Sequence, residues 1–141
     1  GGESMRMTNE ADYAIRIIYC IGMSPDKIGA KDIAEQTGVS LRFSLKILRK
    51  LIQAELIASY KGVKGGYVLK KAPEEISLGE IIECIDGPIQ IAHCLSNEFD
   101  CTRVGNKDTC GFHRVFDEIN HRLREDLNDI RVAQFLPGSK K

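Results

Sequence analysis

Residues 31–55, KDIAEQTGVSLRFSLKILRKLIQAE, decide the fold of this chain. A short amphipathic helix over residues 31–37 is predicted to end at Gly38, because glycine readily adopts the left-handed conformation that closes helices. Ser40 is then the predicted N-cap of a second helix, which runs to about the end of the stretch. Two helices joined by a tight glycine-containing turn are typical of a helix-turn-helix.

The second helix of this pair has two different faces. An inward stripe is predicted at Leu45, Leu48 and Ile52. Four polar side chains share another face, at steps i, i+4, i+7 and i+11: Arg42, Lys46, Arg49 and Gln53. One side of the helix is therefore expected to pack on the core, while the other presents positive charge.

The charge of the chain is divided along its length. The 141 residues carry 20 Lys and Arg and 20 Asp and Glu, so the net charge is zero. Residues 1–72 nevertheless hold 12 basic against 7 acidic side chains, and residues 27–71 hold 10 against 3. A basic N-terminal half favours an anionic partner such as nucleic acid. Charge alone leaves an ordinary solvated surface equally open.

A short basic hairpin is predicted directly after the second helix. Its strands cover residues 56–60 and 67–69. Gly65 and Gly66 in the connection can adopt positive φ, and Lys61 and Lys64 would project from the tip. A helix-turn-helix followed by such a hairpin is typical of a winged helix. The predicted fold class is thus mainly α with a small β-wing.

A long amphipathic helix is predicted to begin at Gly111. Apolar side chains recur along it at steps of three and four residues: Phe112, Phe116, Ile119, Leu123, Leu127 and Ile130. A single stripe of this length needs a partner surface. Packing on its own domain is one solution, but self-association is the stronger prediction because a small winged helix offers little surface to cover the stripe. A shorter helix over residues 78–85, capped by Ser77, precedes it.

The cysteines introduce a second kind of chemistry. Cys94, Cys101 and Cys110 fall within 17 residues, and His113 follows three positions later. Three thiolates and an imidazole suit an iron–sulfur cluster or zinc. The wide spacing favours the cluster, with zinc and merely reduced cysteines as alternatives. The two remaining cysteines lie on apolar helices and are predicted to be small buried hydrophobic residues: Cys20 and Cys84.

Other classes of protein find little support. The sequence has neither G-x-S-x-G nor a phosphate-binding Gly-Lys-Ser/Thr, so no enzyme activity is predicted. No apolar run approaches the roughly 18–20 residues that cross a bilayer. Residues 1–4 look like a tag remnant before Met5 rather than a signal sequence, and a cytoplasmic location is expected. A small electron carrier would have no use for the basic winged helix.

Six short stretches are more specific together than any one alone: MRMT at 5–8, DYA at 12–14, IAEQTGVS at 33–40, GGYVL at 65–69, EISLGEII at 75–82 and GP at 87–88. With them the chain resembles the Rrf-two family of winged-helix transcription regulators, of the IscR, NsrR and CymR type, over about residues 5–136. The domains expected from this reading are a winged helix-turn-helix over 5–72, a connecting helix and cysteine-rich cluster-binding loop over 73–110, and a dimerisation helix over 111–136.

The resemblance implies a homodimer on a palindromic operator of double-stranded DNA, with no membrane partner. It also implies that Cys94, Cys101 and Cys110 bind the cluster. For the fourth ligand it offers His113, as in IscR-like members with a 2Fe–2S cluster, or Asp12, as in NsrR-like members with a 4Fe–4S cluster. Both residues are present and the intervals between the cysteines are longer than expected, so the cluster type stays open. Zinc is the weaker alternative.

This layout predicts which residues contact DNA. Those at the start of the recognition helix are best placed to reach bases: Ser40, Arg42 and Phe43. Four cations are expected to contact phosphates: Lys46, Arg49, Lys61 and Lys64. Three wing residues complete the predicted set: Gly65, Gly66 and Tyr67. The expected function is a repressor whose DNA affinity depends on the cluster; the alternative is a cluster-free repressor controlled by a partner protein or by thiol oxidation.

Overall fold

The computed structural model describes residues 7–90 and 111–137, and within these ranges the chain forms five α-helices and one two-stranded antiparallel sheet. In chain order they are α1 (Asn9–Met23), α2 (Ala30–Thr37), α3 (Leu41–Gln53), β1 (Ile57–Tyr60), β2 (Gly66–Leu69), α4 (Leu78–Asp86) and α5 (Gly111–Asp129). Short 3₁₀ turns cover Pro73–Glu75 and Val132–Phe135. The predicted mainly helical fold with a small β-wing is confirmed.

Side-chain caps explain where three of the helices begin. The hydroxyl of Thr8 accepts a hydrogen bond from the backbone N–H of Ala11 at the start of α1. Ser40 and Ser77 do the same for α3 and α4. Each cap satisfies an N–H that the first helical turn leaves without a partner. At the other end of α2, Gly38 has φ 74°, so the predicted helix-closing role of this glycine is confirmed.

Helix α1 lies at the centre of the core. It contacts α2, α3, α4 and β2, and its side chains Ile17 and Ile18 are fully buried. The alternation of these residues with exposed positions follows the helical period, so one face of α1 meets the helix-turn-helix while another meets α4. The winged helix and α4 therefore share one continuous core.

The buried face of α3 differs from the predicted stripe. Its buried residues are Ser44, Ile47, Leu48 and Leu51, whereas Leu45 is 40% exposed and Ile52 only half-buried. Successive helical residues turn by roughly 100°, so Leu45 lies well to one side of this face. The prediction was correct for Leu48 and wrong for Leu45. The helix also ends at Gln53, because Glu55 has a positive φ of 62°.

The hairpin has the expected position, and its glycines are required by close backbone approaches. Strand β1 pairs with β2 in the register Ile57↔Leu69 to Tyr60↔Gly66. A Cβ on Gly66, which has φ 145°, would fall 2.8 Å from the backbone of Ile28, and one on Gly65 would fall 2.2 Å from the carbonyl oxygen of Tyr60. The second positive φ expected at Gly65 occurs at Gly62 instead.

The C-terminal helix is shorter than the predicted 111–136, because α5 ends at Asp129. Beyond it the backbone pairs with the chain before α4: the N–H of Leu78 donates to the carbonyl of Ile130, and the N–H of Val132 donates to the carbonyl of Ile76, both at 2.9 Å. Backbone groups engaged in this bridge cannot continue the helical ladder. Within the described ranges, no helix is long and apolar enough to span a membrane.

Candidate nucleic-acid interface

The exposed face of α3 carries the cations that the sequence singled out. Arg42, Lys46 and Arg49 are all exposed, and Ser40 lies beside them at the N-cap. Together with neighbouring residues they line one open surface depression: Ser40, Leu41, Arg42, Phe43, Leu45, Lys46 and Arg49. The predicted base-contacting and phosphate-contacting residues of α3 thus lie on a single surface.

Phe43 is anchored rather than free at this surface. Its ring packs edge-on against Tyr13 of α1, with ring centroids 5.6 Å apart. The ammonium group of Lys46 lies over the Phe43 ring at 5.6 Å from its centroid. Phe43 therefore links α1 to α3 and also restrains Lys46 through a cation–π contact.

An ion-pair cluster joins the start of α1 to α3. Lys46 Nζ lies 3.3 Å from Oε1 of Glu10, and Lys50 Nζ lies 2.5 Å from Oε2. Burial alone would raise the pKa of Glu10, but hydrogen bonds from Lys50 and Lys46 outweigh it and hold that pKa below its usual value. Sequence reasoning missed Glu10 and Lys50 in this role, because partners 40 positions apart leave no local signal.

The two arginines of α3 differ from its lysines. Within residues 7–90 and 111–137, neither Arg42 nor Arg49 has an ion-pair partner. Their guanidinium groups are therefore available to an external anion, whereas Lys46 and Lys50 already share a carboxylate.

The wing presents further positive charge. Lys61 and Lys64 are exposed at its tip, where Val63 is also fully exposed. Lys27, which the sequence reasoning did not select, places its ammonium group 5.1 Å from the ring centroid of Tyr60 on β1. The basic surface therefore extends from the wing tip towards the loop before α2.

Tyr67 has a clear structural role at the base of the wing. Its backbone exchanges two hydrogen bonds with Ile28, at 2.8 and 3.2 Å. Its side chain is half-buried and packs against the hydrophobic core. Tyr67 and Gly66 thus hold the hairpin against the domain, whereas Gly65 packs within the hairpin and the lysines project from its tip.

The candidate metal ligands are only partly within the described residues. Cys94, Cys101 and Cys110 lie outside them. His113 is half-buried in the first turn of α5, and the side chain of Asp12, 39% exposed, pairs with Arg16 at 3.0 Å. Among the described residues there is no group of three or more His, Cys, Asp or Glu side chains placed to hold a metal ion.

The other two cysteines lie against the helical core. Cys20 is buried, as predicted, and its thiol lies 3.4 Å from Oε1 of Gln36. Cys84 is half-buried rather than fully buried, and its thiol lies 3.6 Å from the carbonyl oxygen of Lys50. Burial raises the pKa of both thiols, since the thiolate loses hydration.

Comparison with known proteins places the chain in a family. The Rrf2 family, described as iron-dependent transcriptional regulator, matches residues 7–138. This chain belongs to the Rrf2 family. An rrf2-like HTH-type transcriptional regulator of Rhodobacter capsulatus is 37% identical over 120 residues, which are 80% of each chain. The HTH-type transcriptional regulator IscR of Sodalis glossinidius is 28% identical over 138 residues, 96% of this chain and 81% of that one.

Solved structures agree with the fold of this Rrf2-family chain. CymR, the global cysteine regulator of B. subtilis, superposes with a TM-score of 0.74 at 22% identity, over 92% of this chain and 95% of that one. T. potens IscR superposes with a TM-score of 0.71 at 23% identity, over 96% and 88%. The resemblance stated from the sequence is confirmed. The Rrf2-family chain is a DNA-binding transcription regulator and not an enzyme.

The start of the cysteine-rich segment of this Rrf2-family chain is held to α4 and α5. Oε2 of Glu83 accepts one hydrogen bond from the backbone N–H of Ile89, at 2.8 Å. The same oxygen forms an ion pair with Nε of Arg124, at 3.1 Å. The buried side chain of Asn120 donates to the carbonyl of Ile89 at 2.8 Å. The segment that leads to Cys94 is therefore anchored to α5 at its first residues.

Proposed function

We propose that this Rrf2-family protein binds a palindromic operator in double-stranded DNA as a homodimer. Helix α3 enters the major groove, and the wing reaches the adjacent minor groove. The observation that carries the proposal is the exposed cationic face of α3, with Arg42 and Arg49 lacking carboxylate partners within the described ranges. In winged helices, the second helix of the helix-turn-helix lies in the major groove, where the edges of the bases distinguish the four base pairs.

Base contacts and phosphate contacts come from different parts of the surface. Ser40, Arg42 and Phe43 lie at the start of α3, the end that enters the groove in helix-turn-helix proteins. A bidentate contact from Arg42 to a guanine discriminates by about 1–3 kcal/mol. The phosphate contacts come from Lys46, Arg49, Lys61 and Lys64.

The homodimer in this proposal forms through α5. Phe112, Val115 and Ile119 are exposed apolar side chains on the first half of this helix. Further along, Leu123 and Leu127 are half-buried, because this part of α5 lies closer to the rest of the domain. A second copy supplies a matching apolar stripe by symmetry. The two recognition helices of the dimer, one from each copy, then lie on one face of the DNA.

We further propose that an iron–sulfur cluster controls DNA binding. Cys94, Cys101 and Cys110 hold the cluster, and His113 or Asp12 supplies the fourth ligand. The donor set fits, since thiolates and imidazole are the ligands such clusters take. Of the two candidates, His113 lies three residues after Cys110, and Asp12 lies on α1, where it forms an ion pair with Arg16. The family description and the IscR relatives support this class of cofactor. When bound, the cluster would supply a redox-sensitive group to the protein.

The experiment is anaerobic purification with an absorption spectrum and iron and sulfide assays, alongside Cys101→Ala. Visible charge-transfer bands with matched iron and sulfide, lost in the variant, are expected. The variants His113→Ala and Asp12→Ala then identify the fourth ligand, since only loss of the true ligand should change the absorption spectrum. DNA binding of loaded and cluster-free protein is compared on the same duplex. Equal affinity in both states contradicts cluster control.

A second candidate is control by thiol oxidation without a cluster. It is favoured by the similarity to CymR, since one Staphylococcus aureus CymR structure with a TM-score of 0.68 is an oxidized form. A colourless protein that takes up no iron on reconstitution, and whose DNA binding changes on mild oxidation, supports this candidate. The DNA-binding surface is the same in both.

A further inference from the structure

The start of α1 places a carboxylate on the surface proposed to contact DNA. Glu10 lies in the first turn of α1, two residues after the Thr8 cap, and its side chain is only 17% exposed. It pairs with two lysines of α3 at once. Lys46, the more exposed of the two at 56%, lies on the same face as Arg42 and Arg49.

We propose that Glu10 is a positioning residue for DNA binding that lowers the affinity of the protein for DNA of any sequence. It does so by holding the ammonium groups of Lys46 and Lys50, so that Lys46 is partly neutralised before DNA arrives. This inference rests on the proposed function, because it requires that α3 meets DNA.

Glu10 lowers this affinity because it reduces the positive charge available to DNA phosphates. Sequence-independent binding grows with the number of phosphates that cations neutralise, through the release of counterions. The cluster of Glu10, Lys46 and Lys50 carries a net charge of +1, because one carboxylate is shared by two ammonium groups. A phosphate that approaches Lys46 must displace this carboxylate or accept a weakened contact.

Arg42 and Arg49 are arranged differently. Within the described part of the chain neither has a carboxylate partner, so each meets DNA at full charge. Removing charge from Lys46 while leaving Arg42 intact weakens phosphate binding more than base recognition. Glu10 thereby raises the ratio of specific to non-specific affinity.

A neutral isostere at position 10 separates charge from structure. Lys46 also lies over the Phe43 ring, at 5.6 Å from its centroid, so a second contact holds it in place when the carboxylate is gone. Glu10→Gln keeps the size of the side chain and its ability to accept a hydrogen bond. The matched control is Glu74→Gln, which changes the net charge equally at an exposed position that forms no ion pair within the described residues.

The test is fluorescence anisotropy with a labelled random-sequence DNA duplex over a series of salt concentrations. Glu10→Gln is expected to bind several-fold tighter at low salt. Its slope of log K against log salt should steepen by about 0.9, the value of one additional phosphate contact. Glu74→Gln should match the wild type. Equal behaviour of the two variants, or weaker binding by folded Glu10→Gln, overturns the inference.

Two further measurements test whether Lys46 is the lysine responsible, and one of them remains valid if Glu10→Gln does not fold. In a Lys46→Gln background the gain from Glu10→Gln should disappear; a gain that persists overturns the role of Lys46. In the otherwise wild-type protein, Lys46→Gln should reduce the salt slope less than Arg49→Gln, because only Lys46 is already paired. This comparison needs no Glu10 variant, and an equal or larger reduction by Lys46→Gln contradicts the inference.

The failure of the proposed function has a different signature. If Arg42→Gln and Arg49→Gln together leave binding and its salt slope unchanged, α3 does not contact DNA and the proposed function fails. If those variants weaken binding while Glu10→Gln matches Glu74→Gln, only the role of Glu10 fails.

Discussion

Gly79 of α4 lies against Asn128 of α5 so closely that a Cβ on the glycine would fall 2.2 Å from Oδ1 of the asparagine and 3.3 Å from its backbone nitrogen. The same Oδ1 accepts a hydrogen bond from the hydroxyl of Ser77 at 3.4 Å. Close contact at this point lets the backbone after α5 pair with the residues before α4. The absence of a side chain at Gly79 thus lets α5 lie this close to α4.

Gly79→Ala is therefore expected to destabilise the protein by about 1–3 kcal/mol, the usual cost of adding a methyl group to a packed contact. Urea denaturation followed by circular dichroism measures the free energy of unfolding. Gly111→Ala is the control, since Gly111 also lies in a helix and no atom lies within 4 Å of a Cβ there. If both variants have the same stability, Asn128 moves aside without cost and Gly79 does not set the contact.

Arg42→Ala and Lys64→Ala should weaken DNA binding in different ways. Loss of Arg42 should remove about 1–3 kcal/mol of discrimination at one base pair of an operator selected from a random library. Loss of Lys64 should weaken binding to all sequences alike and reduce the salt slope by about 0.9. Competition binding with single-base operator variants separates the two. A uniform loss with Arg42→Ala would contradict its assignment to a base.

Ile119→Glu should shift the protein from dimer to monomer in sedimentation velocity. Ile119 is an exposed apolar residue on α5, and a carboxylate there would lose its hydration on burial between two copies. Arg114→Glu is the control on the same helix, because Arg114 is exposed and lies about 140° around the helix axis from Ile119. A dimer that survives Ile119→Glu would place the interface elsewhere.

Cys20 and Cys84 should react slowly with iodoacetamide in the folded protein. The thiolate is the reactive form, and burial raises the pKa of both thiols, so the thiolate fraction at neutral pH falls. The rate should rise only at pH values above the ordinary thiol range, or when urea unfolds the protein. Mass spectrometry of the two peptides reads each site separately. Rapid labelling of Cys20 at neutral pH would contradict its burial.

Much of the winged helix was predictable because its signals are local. The cap at Ser40 and the closing glycine at position 38 each act through backbone groups within a few residues. The periodicity of apolar residues likewise located α3 and α5, although it misjudged the orientation of Leu45. When a helix has apolar residues on more than one side, the sequence pattern alone does not predict which side packs on the core.

The sequence by itself thus determined the order of the elements, the exposed cations of α3 and the family resemblance, because local hydrogen bonding and side-chain periodicity encode these. Only the tertiary structure decided that Glu10 pairs with Lys46 and Lys50, and that α5 stops at Asp129 where the following backbone pairs beside α4. These features depend on contacts between segments far apart in the chain, and no pattern within either segment records its partner.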